Sequence, residues 1–112
     1  MPDPMAPLNQ VFQALSDPTR RAVVERLARG PTATTELARP FPMALPSFLQ
    51  HLDVLQKCGL VRSRKSGRVR TFELAPGALR EAEGWLAAQR SLWELRLDRL
   101  DAFLEGQKER SE

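Results

Sequence analysis

Six basic side chains, Lys57, Arg62, Arg64, Lys65, Arg68 and Arg70, fall within fourteen consecutive residues that contain no acid. That stretch carries +6, whereas the whole chain of 112 residues carries +3. Residues 1–56 balance five basic against five acidic side chains, Glu73 subtracts one, and residues 77–112 hold six basic against eight acidic. Charge gathered in one place, rather than mixed with acids over a solvated face, suits contact with a polyanion such as nucleic acid. The other reactive groups stand alone. His51 and Cys58 are the sole histidine and cysteine, and neither has the sequence context of a nucleophile with its base. With no nucleotide-binding glycine loop and no paired acid/base motif, neither an enzyme nor a cofactor is expected. Asp98, Asp101 and Glu105 lie at i, i+3 and i+7, but without imidazole or thiolate partners they read as a solvated helical face, so no metal site is expected. Cys58 has no second cysteine to resolve a sulfenic acid within one chain, and reads as a small hydrophobe, with redox sensing as the alternative.

The basic run needs elements to position it. Just before it, Pro46 suits the first turn of a helix, Phe48, Leu52 and Leu55 recur at helical spacing with Leu49 and Val54 widening the apolar side, and Ser47, Gln50 and Asp53 stay polar. Lys57 in the last turn and Gly59 after it are C-terminal signals, giving a helix over about 45–57. Val61 to Lys65 and Val69 to Leu74 flank Ser66-Gly67 and predict a two-stranded hairpin over about 61–74.

Upstream, a first helix starts near Pro7 and places Leu8, Phe12 and Leu15 on one face. Asp17-Pro18 then reads as an N-cap followed by the first position of a second helix, which Gly30-Pro31 stops. A shorter helix over Thr32 to Arg39, capped by Thr34 or Thr35, ends at Pro40 and Pro42. This helix and the 45–57 helix make a helix-turn-helix. Past Ala75-Pro76-Gly77, a long helix over about 78–105 carries an apolar seam through Leu79, Ala82, Leu86, Trp93, Leu97, Leu100 and Leu104, and QKERSE reads as a disordered tail. The length and the 42% apolar content fit a single domain over 1–112 of mainly α (α+β) class. No apolar run is long enough to cross a membrane, the N-terminus lacks the organisation of a secretion signal, and a lone cysteine suits a reducing cytoplasm.

Three segments, FQALSDPTRRAVVERLARG (12–30), MALPSFLQHLDVLQKCGLV (43–61) and GRVRTFEL (67–74), together give nearly the whole chain a resemblance to the ArsR-type winged helix-turn-helix repressors, and the tail WLAAQRSLWELRLDRLDAFLE (85–105) resembles the branch without a metal site. The resemblance implies a homodimeric DNA-binding repressor that places two recognition helices in successive major grooves of double-stranded DNA. It implies base-facing roles for Ala44, Leu45, Ser47, Leu49 and Gln50, and wing contacts from Arg64, Lys65, Arg68 and Arg70. Ala44 and Leu49 stand where the family commonly has serine, which exchanges hydrogen bonds for apolar surface suited to thymine methyl groups. A winged helix used as a protein-interaction module is the rival reading, and the basic wing argues against it.

The first and last helices carry more apolar surface than one small domain covers, so a dimer interface is expected from Leu8, Phe12, Leu92, Trp93, Leu97 and Leu100, with Trp85 and Leu86 open to either role.

Overall fold

The computed structural model describes residues 6–110. The N-terminal residues 1–5, where a secretion signal would begin, and the last two of the expected tail lie outside that range. The elements run α1 (Ala6–Leu15), α2 (Pro18–Leu27), β1 (Thr32–Ala33), α3 (Thr34–Ala38), α4 (Leu45–Lys57), β2 (Val61–Ser66), β3 (Val69–Leu74) and α5 (Pro76–Arg110). Two compact units result, one up to Ala82 and one from Glu83 on.

In the first unit every helix gives its apolar stripe to one core. Val11 and Ala14 of α1, Val23 and Leu27 of α2, Leu37 of α3, and Phe48, Leu52 and Leu55 of α4 are buried together with Leu60, Val61, Phe72 and Ala82. Each fully buried Leu, Val or Phe contributes about 1.5–3 kcal/mol relative to exposure, which is what makes these short helices stable in company. The Phe41 ring, on the turn before α4, stacks at a tilt on Phe48 with centroids 5.1 Å apart.

Local chemistry fixes the ends. Asp17 is extended and its carboxylate accepts the Arg20 N–H at 3.0 Å, while Pro18 opens α2. At the far end of α4 the chain leaves through a Schellman turn: Gly59 adopts φ +82°, its N–H donates to the Gln56 carbonyl, and the Leu60 N–H donates to the Leu55 carbonyl at 3.0 Å. Leu55 and Leu60 are both wholly buried, supplying the apolar contact that accompanies this motif. The three strands form an antiparallel sheet in the order β1-β3-β2. A mainly helical chain with a small antiparallel sheet after a helix-turn-helix, followed by a long helix, is the winged-helix architecture.

Several local expectations are revised. Leu8, expected at a subunit interface, is only 9% exposed and packs in the core of its own unit, with Phe12 half-buried against that core. The outward positions of α1 are polar (Asn9, Gln10, Gln13), so α1 does not carry the surplus apolar surface expected of it. The surplus lies in the second unit, where Leu92, Trp93, Leu95, Leu97, Leu100, Phe103 and Leu104 are all exposed. Leu49 and Val54 are exposed too and do not widen the buried side of α4. Thr34 does not cap α3, whose N-cap is Ala33; its hydroxyl donates to the Arg70 carbonyl at 3.0 Å. The residues before it form β1, pairing Thr32 with Phe72, a two-residue strand too short for alternation to announce. Ser66 pairs with Val69, so the hairpin loop is Gly67-Arg68, with Gly67 at φ +62° in the first loop position. Helix α5 begins at Pro76 and runs on to Arg110 through most of the expected tail.

The Arg20 N–H holds the Asp17 carboxyl below its ordinary pKa, opposed by burial and aided by His51 and the Arg20 guanidinium. A depressed folded-state pKa means that the stabilisation is complete above the usual carboxylate range and is lost as pH falls through the depressed value. Asp17→Ala is therefore expected to cost about 1 kcal/mol near neutral pH, with a deficit that shrinks in acid. Urea unfolding of both proteins across the acid range measures it.

Candidate nucleic-acid interface

Burial of Phe48, Leu52 and Leu55 decides which face of α4 remains outside. Residues at the opposite side of a 3.6-residue turn are Pro46, Gln50, Asp53 and Lys57, and all four are exposed. Ala44, the N-cap, and Leu45, Ser47 and Leu49 are exposed around the start of the helix, with Leu45 at 51% and Leu49 at 43%. All five side chains expected to contact bases are thus exposed, at the N-cap or in the first two turns of one helix. Large apolar residues so exposed in a helix that buries its other stripe are available for an apolar contact, of which a thymine methyl is one. Asp53 and Lys57 form an i, i+4 pair at 2.9 Å on the same face.

The wing brings its charges together in register. Arg62 stands opposite Glu73, Arg64 opposite Thr71, and Lys65 opposite Arg70. The sequence run contains no acid, but the neighbouring strand supplies one: Glu73 accepts from Arg62 Nε at 2.9 Å and lies 3.6 Å from Arg64 Nε. In the sequence Glu73 is only a subtraction from net charge, because strand pairing rather than proximity along the chain makes this contact. Arg70 donates to the Ser63 hydroxyl at 2.9 Å. Among the described residues Lys65, Arg68 and Arg70 have no carboxylate partner, so the uncompensated charge is at the tip. Lys65 and Arg70 face each other directly, an arrangement of like charges that destabilises a strand pair unless an anion lies against it. Phosphate oxygens are such anions, and guanidinium and ammonium groups bind them well.

Behind α4, Arg20 donates through Nε to the Ala14 carbonyl at 2.7 Å and through Nη2 to the Gln13 carbonyl at 3.4 Å, and Arg21 donates to the Leu15 carbonyl at 2.9 Å. These bonds close the C-terminal end of α1, which the Asp-Pro-Thr-Arg-Arg run was not expected to do. Arg20 Nη1 also lies 3.1 Å from His51 Nδ1, so the sole histidine is held in a structural contact. Cys58 is half-buried, and its thiol donates to the Leu55 carbonyl at 3.3 Å. No group of three or more metal-ligand side chains occurs among the described residues, and no helix there is long and apolar enough to cross a membrane. The expected interface residues Leu92, Trp93, Leu97 and Leu100 are all exposed on the helix of the second unit.

An exposed recognition helix followed by a basic wing defines a DNA-binding winged helix-turn-helix protein. Residues 15–64 match the model of a helix-turn-helix domain family. Over 71 residues, 63% of the chain, it is 49% identical to the HTH-type transcriptional regulator Rv2034 of Mycobacterium tuberculosis, and the aligned part spans 66% of that protein. The crystal structure of an ArsR family transcriptional regulator superposes with a TM-score of 0.77 at 51% identity, covering 84% of this chain and 97% of that one. A homodimeric winged helix-turn-helix DNA-binding domain of Mycobacterium bovis, Mb0332, superposes with a TM-score of 0.62 at 26% identity, covering 79% and 83% of the two chains. The chain belongs to the ArsR family of winged helix-turn-helix transcriptional regulators, and it is a DNA-binding regulator of transcription.

The Glu73 pairings yield a specific expectation. Glu73→Gln releases Arg62 and Arg64 from a carboxylate, so affinity for any duplex should rise and the salt dependence should steepen by about one unit for each additional phosphate neutralised. Folding stability should change by only about 1 kcal/mol or less, since Arg62 and Arg64 are well exposed. Salt titrations by fluorescence anisotropy read the first effect and thermal melts the second.

Proposed function

We propose that two copies of this chain, joined through α5, bind an operator in double-stranded DNA and repress transcription by occupying it. The observation that carries this reading is the pairing of an exposed α4 face with a wing whose tip cations have no carboxylate partner among the described residues. In it, Ala44, Leu45, Ser47, Leu49 and Gln50 meet base edges, and Arg64, Lys65, Arg68 and Arg70 meet the phosphate backbone. Backbone contacts supply affinity and base contacts supply sequence choice. Occupancy requires nothing beyond these contacts, so the protein acts as a binding protein rather than an enzyme, without a metal or other cofactor, in the cytoplasm where the DNA is. The whole chain serves as one functional domain, with α5 completing it through the partner copy.

Self-association is supported by the chemistry of α5 and by the homodimeric Mb0332 domain. Leu92, Trp93, Leu97 and Leu100 are large side chains on one helix, with Trp93 64% exposed. A helix of this kind gains its stability by burying that surface, and a second copy presents an identical one around a twofold axis. Such an axis sets the two recognition helices about 34 Å apart, one turn of DNA, and calls for an operator with dyad symmetry.

The experiment is a gel-shift titration on the protein's own upstream DNA at several salt concentrations. Neutralising about six to ten phosphates should lower affinity roughly 10³- to 10⁵-fold between 50 and 200 mM salt. Gln50→Ala should alter preference at one base pair by about 1–3 kcal/mol, and a uniform loss across all sequences would remove Gln50 from the base-reading set. Leu97→Glu puts a charge into an apolar interface at a cost of several kcal/mol. It should yield a monomer by light scattering that no longer binds the full operator specifically, and a monomer that binds at wild-type affinity would refute the dimer.

A further inference from the structure

The recognition helix is fastened to the helices behind it by a contact whose donor and acceptor are fixed by chemistry. Arg20 Nη1 lies 3.1 Å from His51 Nδ1, while the same guanidinium is anchored on the carbonyls of Ala14 and Gln13. A guanidinium only donates, so the Nδ1 lone pair is the acceptor and the proton of the neutral ring sits on Nε2. The Asp17 carboxylate stands 3.7 Å from the same Nδ1, beyond hydrogen-bond reach but close enough to attract a charge. Arg20 of α2 and Asp17 at its N-cap are the charged groups in contact with the ring among the described residues.

A proton taken up at Nδ1 removes the acceptor that Arg20 uses and sets two cations against each other. It also makes Nδ1–H a donor, for which Asp17 is the waiting acceptor. The neutral and charged rings therefore demand different partners, one tied to the end of α1 and the other to the start of α2. His51 directly follows Gln50 on α4, so the bond its ring makes bears on the placement of the face proposed to read bases.

We propose that Arg20 and His51 are positioning residues for operator recognition, and that protonation of His51 transfers its bond from Arg20 to Asp17 and weakens specific binding. This rests on the operator reading above. Added positive charge alone strengthens binding to any duplex, so a loss confined to the specific site has the opposite sign to plain electrostatics.

The test is the pH profile of affinity for the operator and for an unrelated duplex, from about pH 8 to about pH 5, the interval over which histidine changes charge. Operator affinity should fall about tenfold toward the acid end, the scale of one lost hydrogen bond to a charged group, with no fall for the unrelated duplex. In His51→Gln the side-chain carbonyl can still accept from Arg20, so this variant should match the wild type at high pH and show a flat profile. Asp17→Asn keeps an N-cap but removes the anion that draws the ring away from Arg20, so its acid loss should be smaller than the wild type's; this arm stands even where His51→Gln folds poorly. A flat wild-type profile, or an acid loss unchanged in both variants, overturns the proposal while leaving the operator reading intact. Absence of any complex at any pH overturns both.

Discussion

Everything at the surface proposed to face DNA depends on how α4 is buried. Phe48, Leu52 and Leu55 occupy one stripe and are in contact with almost no water. Rotating the helix to present another face would expose three large side chains at a cost of several kcal/mol. That constraint keeps Gln50 outside, and the Arg20 contact with the neighbouring His51 adds to it. The Schellman turn extends the same logic, because Leu60 is buried against the core at the very point where Gly59 reverses the chain. Residue 61 then begins the first wing strand, so the hydrophobic effect orients the helix and launches the wing in one continuous stretch.

Electrostatics refines what burial has arranged. The sequence places six cations in a row, and folding divides them. Lys57 is paired along α4 with Asp53, Arg62 and Arg64 share Glu73 across the strands, and the tip keeps its full charge. Attraction to a polyanion is thereby strongest farthest from the core, where a phosphate can approach without displacing a carboxylate. The ion pairs nearer the core are exposed and add little to stability, so their effect falls on where the field is directed.

The winged-helix class was legible in the sequence because its elements are punctuated by strong local signals: Asp17-Pro18, Pro46, Gly59, and alternating or helical apolar spacing. What escaped was set by tertiary contact. Leu8 belongs to a helical face whether the surface it meets comes from its own chain or from another, and periodicity does not distinguish the two. Thr34 is an ordinary N-cap candidate in the sequence, yet its hydroxyl bonds across to Arg70, thirty-six residues away. Glu73 and His51 likewise take their partners from other elements. The proposed base-reading residues are all exposed: helical spacing places Gln50 opposite the buried stripe, whereas Leu45, seven residues before Leu52, is exposed because it stands in the first turn, and Ala44 because it is the N-cap.

The register of the wing has a further consequence for the free protein. With Lys65 set against Arg70 beyond Ser63 and the buried Phe72, the outer ladder is held by backbone bonds and by the Arg70 bond to the Ser63 hydroxyl, while its like charges repel. Its amides are therefore expected to open at a lower free-energy cost than those of Val61 or Leu74. A phosphate lying between the two cations turns that repulsion into a shared attraction. On the proposed reading, part of the binding free energy would go into rigidifying the hairpin, and amide protection should spread outward along the strands when the nucleic acid arrives.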